Sequence, residues 1–303
     1  MNPCFFLFIF LLQTGLLLAQ EYPALNITPT SLGYRHLHTT YKGDSVDILV
    51  QSKKGEENKP KPIFFFCEGS TSRPMLLVQE GYAYPLFPFH SAGLDSLLAE
   101  YHIAIVSKPY IPVMQDVKDL DKRMCYNDPK TGIPPTKYLE RNLLAYYSAR
   151  NIYLIKYLKQ QKWVSSERFV VAGHSQGGRV AAAMADKSKA VTHLIISCAN
   201  PMGRMATMLA ESRIGETDSL AWGEEMFQYW AEIVANKENN APSSGDSPKN
   251  SYSFSTSMLP IFDKLKIPVL ISYGTKDASC AFNDYARLRS IEKGQKTFIS
   301  KLI

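Results

Sequence analysis

The segment of this 303-residue chain with the sharpest chemical meaning is Gly173-His174-Ser175-Gln176-Gly177-Gly178. The apolar run RFVVA precedes it and RVAAAMAD follows, so a G-x-S-x-G pattern falls at a strand-to-helix turn. A bend that tight leaves no room for side chains beside the serine, which explains Gly173 and Gly177. It lifts the Ser175 hydroxyl out at the carboxyl end of a strand. The following helix turns its N-terminal N–H groups toward the place where negative charge would develop. This is the geometry of a serine nucleophile. No C-x-x-C, H-E-x-x-H or clustered His/Cys spacing accompanies it, so neither a metal nor a cofactor is expected.

The elements around this turn alternate. Val46–Gln51 and Pro62–Cys67 read as strands joined by the polar Lys53–Pro60 turn. Leu94–Tyr101 reads as a helix and His102–Ser107 as a buried strand. Pro109 to Pro135 is broken by five prolines. Thr136–Lys159 has one apolar face at the 3.6-residue period and predicts a single long helix. Strands are expected at Arg168–Ala172, Val191–Cys198, Ile267–Tyr273 and Lys296–Ile303, and helices at Arg179–Asp186 and Asn283–Lys293. Short apolar strands interleaved with helices predict an α/β fold, with a mostly parallel central sheet covered on both faces. Residues 199–264 read as a helical cap insertion, with helices near Met202–Glu211 and Leu220–Asn236.

With these elements in place the chain resembles the α/β-hydrolase superfamily. Within it, the chain looks most like exported esterase and peptidase-like members related to dienelactone hydrolases and prolyl oligopeptidases. Dienelactone hydrolases carry cysteine at the elbow; here the residue is Ser175. The resemblance implies further roles. The backbone N–H of Gln176 becomes one oxyanion donor. The strand PIFFFC runs into Glu68-Gly69-Ser70, where the N–H of Ser70, or of Gly69, becomes the second. Loss of one such donor costs roughly 3–4 kcal/mol of transition-state stabilisation. The superfamily order of Ser, acid, His puts the acid after the strand IPVLISY, at Asp277, with Asp284 as competitor inside the next helix. Asp277 would orient an imidazole.

No histidine follows Asp277; the six are His36, His38, His90, His102, His174 and His193. His174 is expected to point into the scaffold, His102 and His193 to be structural, and His90 to lie near the mouth. The reading therefore expects an incomplete gene product with weak activity, because serine at its own pKa is a poor nucleophile. The expected reaction is hydrolysis of a small ester or peptide substrate through an acyl-enzyme at Ser175. The alternative is a non-catalytic binding protein on a hydrolase scaffold. A more distant one is a lipid-binding surface protein anchored by its N-terminus.

Composition narrows the class. Net charge is +6 and spread along the chain, which argues against a nucleic-acid partner. Residues 5–19 form an apolar run of signal-peptide length, so residues 1–20 are expected to be a leader and 21–303 the hydrolase domain, secreted or periplasmic, with no stable membrane span. Cys67 and Cys198 are expected to be buried thiols, and Cys125 and Cys280 are a candidate bridge. Asn26-Ile27-Thr28 is a glycosylation acceptor pattern. Trp222, Phe227, Tyr229 and Trp230 either line a substrate pocket or form the buried face of a cap helix. The Tyr110–Pro135 loop, with Arg123, Tyr126 and Asn127, is expected to flank the entrance.

Overall fold

A computed structural model of the chain describes residues 27–86, 93–217, 221–241 and 245–302. The expected leader, Asn26 and His90 lie outside these residues. The chain begins with β1 (Tyr34–Tyr41), β2 (Asp44–Gln51) and β3 (Lys61–Cys67), followed by a hairpin of β4 (Leu76–Gln79) and β5 (Tyr82–Pro85). Next come α1 (Leu94–Glu100), β6 (His102–Val106), β7 (Met114–Asp116), α2 (Thr136–Arg141) and α3 (Leu144–Lys159). The central unit is β8 (Val164–His174), α4 (Gln176–Lys187) and β9 (His193–Ser197). Then follow α5 (Arg204–Ile214), α6 (Trp222–Ala235), α7 (Pro248–Ser253), α8 (Leu259–Lys264), β10 (Val269–Tyr273), α9 (Cys280–Glu292) and β11 (Phe298–Leu302).

Eight of the strands form one sheet in the order β1-β2-β6-β3-β8-β9-β10-β11. The β1–β2 and β2–β6 pairs are antiparallel, and every pair from β6 to β11 is parallel. The central strands β3 and β6 and the second half of β8 are near-continuous apolar runs because both faces are covered, whereas the edge strand β1 alternates. Alternate side chains enter opposite cores. Ile63 and Phe65 of β3 pack with Phe169 and Val171 of β8 under α3, α4 and α8. Phe64 and Phe66 pack with Val170 and Ala172 toward α1.

Four sequence expectations need correction. The Lys53–Pro60 turn does not join neighbouring strands, because β6 lies between β2 and β3. Periodicity cannot report a crossover. The helix predicted over 136–159 is two helices. Asn142 leaves the helical conformation between them and is buried. Its side chain bonds Gln176 and Asp246, and its carbonyl accepts from Asn250 Nδ2. Those tertiary bonds outweigh helix continuity. Residues 199–264 are only partly a cap: Phe254, Met258, Leu259 and Phe262 lie in the main core. Finally, Cys125 and Cys280 are free thiols, as are Cys67 and Cys198. Cys198 is half-buried and not fully enclosed; its φ of +48° lies at the bend where the chain leaves β9.

A second, small sheet in the order β5-β4-β7 was not legible as strands. Its hairpin turns at Glu80 and Gly81, both with positive φ, which matches the twist of the flanking strands. Among the described residues no helix is long and apolar enough to cross a membrane.

Candidate active site

β8 ends and α4 begins at one residue. Ser175 takes φ +54° and ψ −122°, in a region an L-residue occupies at a cost of order 1–3 kcal/mol. The surrounding backbone holds it there. The Ser175 N–H donates to Ser197 O at 2.9 Å, and the Gly178 N–H to Ser175 O at 3.0 Å. A Cβ on Gly173 would lie 2.2 Å from Gly177 O, and one on Gly177 would lie 2.0 Å from Cys67 O. The two glycines let α4 sit directly against the end of β3, so the turn is as tight as its sequence implied.

That close approach brings the loop after β3 to the nucleophile. A Cβ placed on Gly69 would be 3.9 Å from the Ser175 Cβ. Ser70 borders the clefts on both sides of Ser175. Its carbonyl accepts from Tyr138 Oη at 3.0 Å. Gln176 is the first residue of α4, so its N–H has no intrahelical acceptor. Its side chain is buried and donates to Asn142 Oδ1.

Ser175 and Asp277 face a shared cleft of about 400 Å³, together with Ser70, Gln176, Arg179, Asn200 and Ser279. Asp277 sits after β10 as expected, and its Oδ1 accepts the Ser279 N–H at 2.7 Å. Asp284 does not join them. It lies on α9 and accepts from Tyr273 Oη at 2.6 Å. On the other side of Ser175 a cleft of about 650 Å³ has an apolar floor of Phe64, Phe66, Leu86, Ala172 and Ile195.

His174 differs from expectation. It is exposed and borders the larger cleft beside Ser175, instead of entering the scaffold. Burial of part of its ring lowers its pKa, and the charge of Asp277 opposes that. His102 is fully buried between Ser52 and the Lys59 carbonyl, and His193 bonds Thr192, as their structural reading required. His36 and His38 both contact Asp47.

The 110–135 loop braces the site without lining it. Arg123 O accepts from Arg73 Nε at 2.9 Å, and the Tyr126 N–H donates to Ser72 O at 2.8 Å. The aromatic residues of α6 lie away from Ser175. Phe227 and Trp230 border a separate groove with Met202, Met205 and Met226, and Trp230 stacks on Tyr252.

Sequence reasoning missed the support beneath the loop. Lys108 is buried, and its ammonium donates to Gly69 O. Burial drives its pKa down and that of neighbouring Glu68 up, while each charge partly opposes the shift of the other. Arg150 completes this group and donates to Ser107 O. Nothing in a sequence pattern marks a lysine that the fold buries.

The fold and this elbow define an α/β-hydrolase. The sequence model of the prolyl oligopeptidase family matches residues 151–297, which include both Ser175 and Asp277. The match covers just under half of this chain. No curated protein sequence matches it. Among solved structures, the acylaminoacyl peptidase of Pyrococcus horikoshii is similar at a TM-score of 0.55 and 15% identity, over 89% of this chain and 36% of that one. This chain therefore spans about a third of that peptidase's length. The α/β hydrolase GrgF from Penicillium sp. sh18 is similar at a TM-score of 0.51 and 14% identity, over 89% of both chains. Acetyl xylan esterase 1 from Thermoanaerobacterium sp. is similar at 0.50 and 12%, over 89% of this chain and 76% of that one.

Proposed function

We propose that the protein hydrolyses a small ester or peptide through an acyl-enzyme at Ser175. The observation that carries this reading is the Ser175 backbone. It is forced to positive φ at a glycine-walled bend, and the side chain opens on a cleft shared with Asp277. The Ser175 Oγ attacks the substrate carbonyl and loses its proton to a base. The carbonyl oxygen becomes an oxyanion that accepts from the N–H groups of Gln176 and Ser70. Collapse expels the alcohol or amine, and water then releases the acid. The apolar floor of the larger cleft suits the acyl group.

The base limits the rate. His36, His38, His102 and His193 are bonded elsewhere, and no hydrogen bond joins His174 to Ser175 among the described residues. Among the described residues none supplies the base to Ser175, and with these residues alone turnover is expected to be low. That same observation favours the second reading, a binding protein on a hydrolase scaffold. The apolar run 5–19 supports export, either secreted or periplasmic, which N-terminal sequencing of the mature protein tests.

A fluorophosphonate probe separates these readings. Slow labelling that maps to Ser175 and vanishes in Ser175→Ala supports the hydrolase. No labelling after hours at high probe concentration supports the binding protein. Rapid labelling overturns the assignment of low turnover.

A further inference from the structure

Arg179 lies in the first turn of α4, four residues after Ser175, and borders the same cleft. It is 4% exposed. Its Nη1 donates to Asn200 O at 3.0 Å, while its Nε is buried with no acceptor. Among the described residues it is in no ion pair, and burial lowers its pKa to about 10 with no neighbouring charge to oppose the shift. Asn200 is 5% exposed. Its Oδ1 accepts the Met202 N–H at 2.8 Å, which leaves Nδ2 buried with no acceptor. Both residues border the cleft that holds Ser175 and Asp277.

Two buried donor groups, one of them a full cation, are thus unsatisfied at one wall of the cleft. A buried charge without a partner is costly, and a planar guanidinium matches a carboxylate edge to edge. The cleft's other arginine, Arg204, is already held by Asp246 and Asn250. Two carboxylates also border the cleft, Asp277 and the exposed Glu211. Their repulsion disfavours a group with two charges on one centre, such as phosphate, more than a carboxylate group, which carries one.

We propose that Arg179 and Asn200 form a carboxylate subsite, so that Ser175 acts on substrates bearing a free carboxylate group. This rests on the hydrolase reading above, but the subsite itself is a binding claim that can be tested without turnover.

The test uses glutarate and its uncharged isostere glutaramide, measured by titration calorimetry on the 303-residue chain. Glutarate is expected to bind at least tenfold more tightly than glutaramide. Arg179→Gln is expected to abolish that preference, and Asn200→Ala to reduce it severalfold if Arg179→Gln does not fold. Glutarate is also expected to slow fluorophosphonate labelling of Ser175 in proportion to its occupancy. Equal binding of the two ligands overturns the subsite, as does a preference that survives Arg179→Gln or, if that variant does not fold, Asn200→Ala. Binding that leaves the labelling rate unchanged overturns its placement beside Ser175. Absence of labelling with or without glutarate refutes the nucleophile reading instead, and the calorimetry then still decides the subsite.

Discussion

Gly177→Ala is the most direct probe of the argument, because a single methyl group tests the contact between α4 and β3. The added Cβ would lie 2.0 Å from Cys67 O and 2.6 Å from both Cys67 C and Glu68 O. Real Cβ contacts do not fall below 3.0 Å, so the two elements must separate by about 1.0 Å (3.0 minus 2.0). The obstructing atoms are backbone on both sides, so no side chain can swing away. Overpacking commonly costs about 1–3 kcal/mol. A clash between two backbones belongs at or above the top of that range, about 3 kcal/mol. At about 2–4 °C per kcal/mol for a domain of this size, Tm falls by about 6–12 °C. The displaced segment continues into Gly69 and Ser70, the proposed oxyanion loop. A misplacement of about 1 Å there lowers reactivity by about 100-fold, so labelling of Ser175 by a fluorophosphonate slows by that factor. Gly93→Ala is the control. No atom lies within 4 Å of its added Cβ and its φ is −86°, so its stability stays within about 1 kcal/mol of the parent. If Gly177→Ala melts within 1 °C of the parent and labels at the parent rate, the elbow geometry argued here is wrong.

Three further outcomes follow from the same geometry. Ser175→Gly is expected to be more stable than Ser175→Ala by about 1 kcal/mol in urea unfolding, because relief of positive φ exceeds glycine's greater unfolded-state entropy; a more stable alanine variant would contradict the strain. His174→Ala is expected to change the Ser175 labelling rate by less than about threefold, whereas a general base removed here costs about 100-fold or more, and a loss of that size would identify His174 as the base. Asp44 is buried, which raises its pKa, but hydrogen bonds from Arg141, Tyr110 and Tyr146 prevail and hold it at about 2 against an ordinary 3.8. A depressed carboxylate stabilises the fold above its unfolded pKa, and that stabilisation is lost as pH falls from about 4 to about 2. The shift corresponds to roughly 2 kcal/mol, so Asp44→Asn is less stable than the parent near pH 6 and the gap narrows below pH 4; a gap independent of pH refutes the assignment.

Much of the fold was legible because local rules agree with one another. Residues 63–67 of β3, 103–106 of β6 and 169–172 of β8 are apolar without alternation, as a strand covered on both faces is built. The elbow was legible for a stronger reason. A bend this tight excludes every side chain from Gly173 and Gly177, so the sequence records it directly. Asn142 shows where such reading stops. Its helical propensity context runs on, but its bonds to Gln176, Asp246 and Asn250 come from residues at least 34 positions away and break the helix.

The amino-acid order by itself therefore determined the alternation of strands and helices and the bend at Ser175, because each depends on steric or periodic rules acting over a few residues. The tertiary structure alone decided that β6 separates β2 from β3, that His174 faces the cleft, and that Lys108 and Arg179 are buried beside the nucleophile. Burial of a charge and the partners left to it depend on what distant segments place around it. No local pattern of residue types encodes those surroundings.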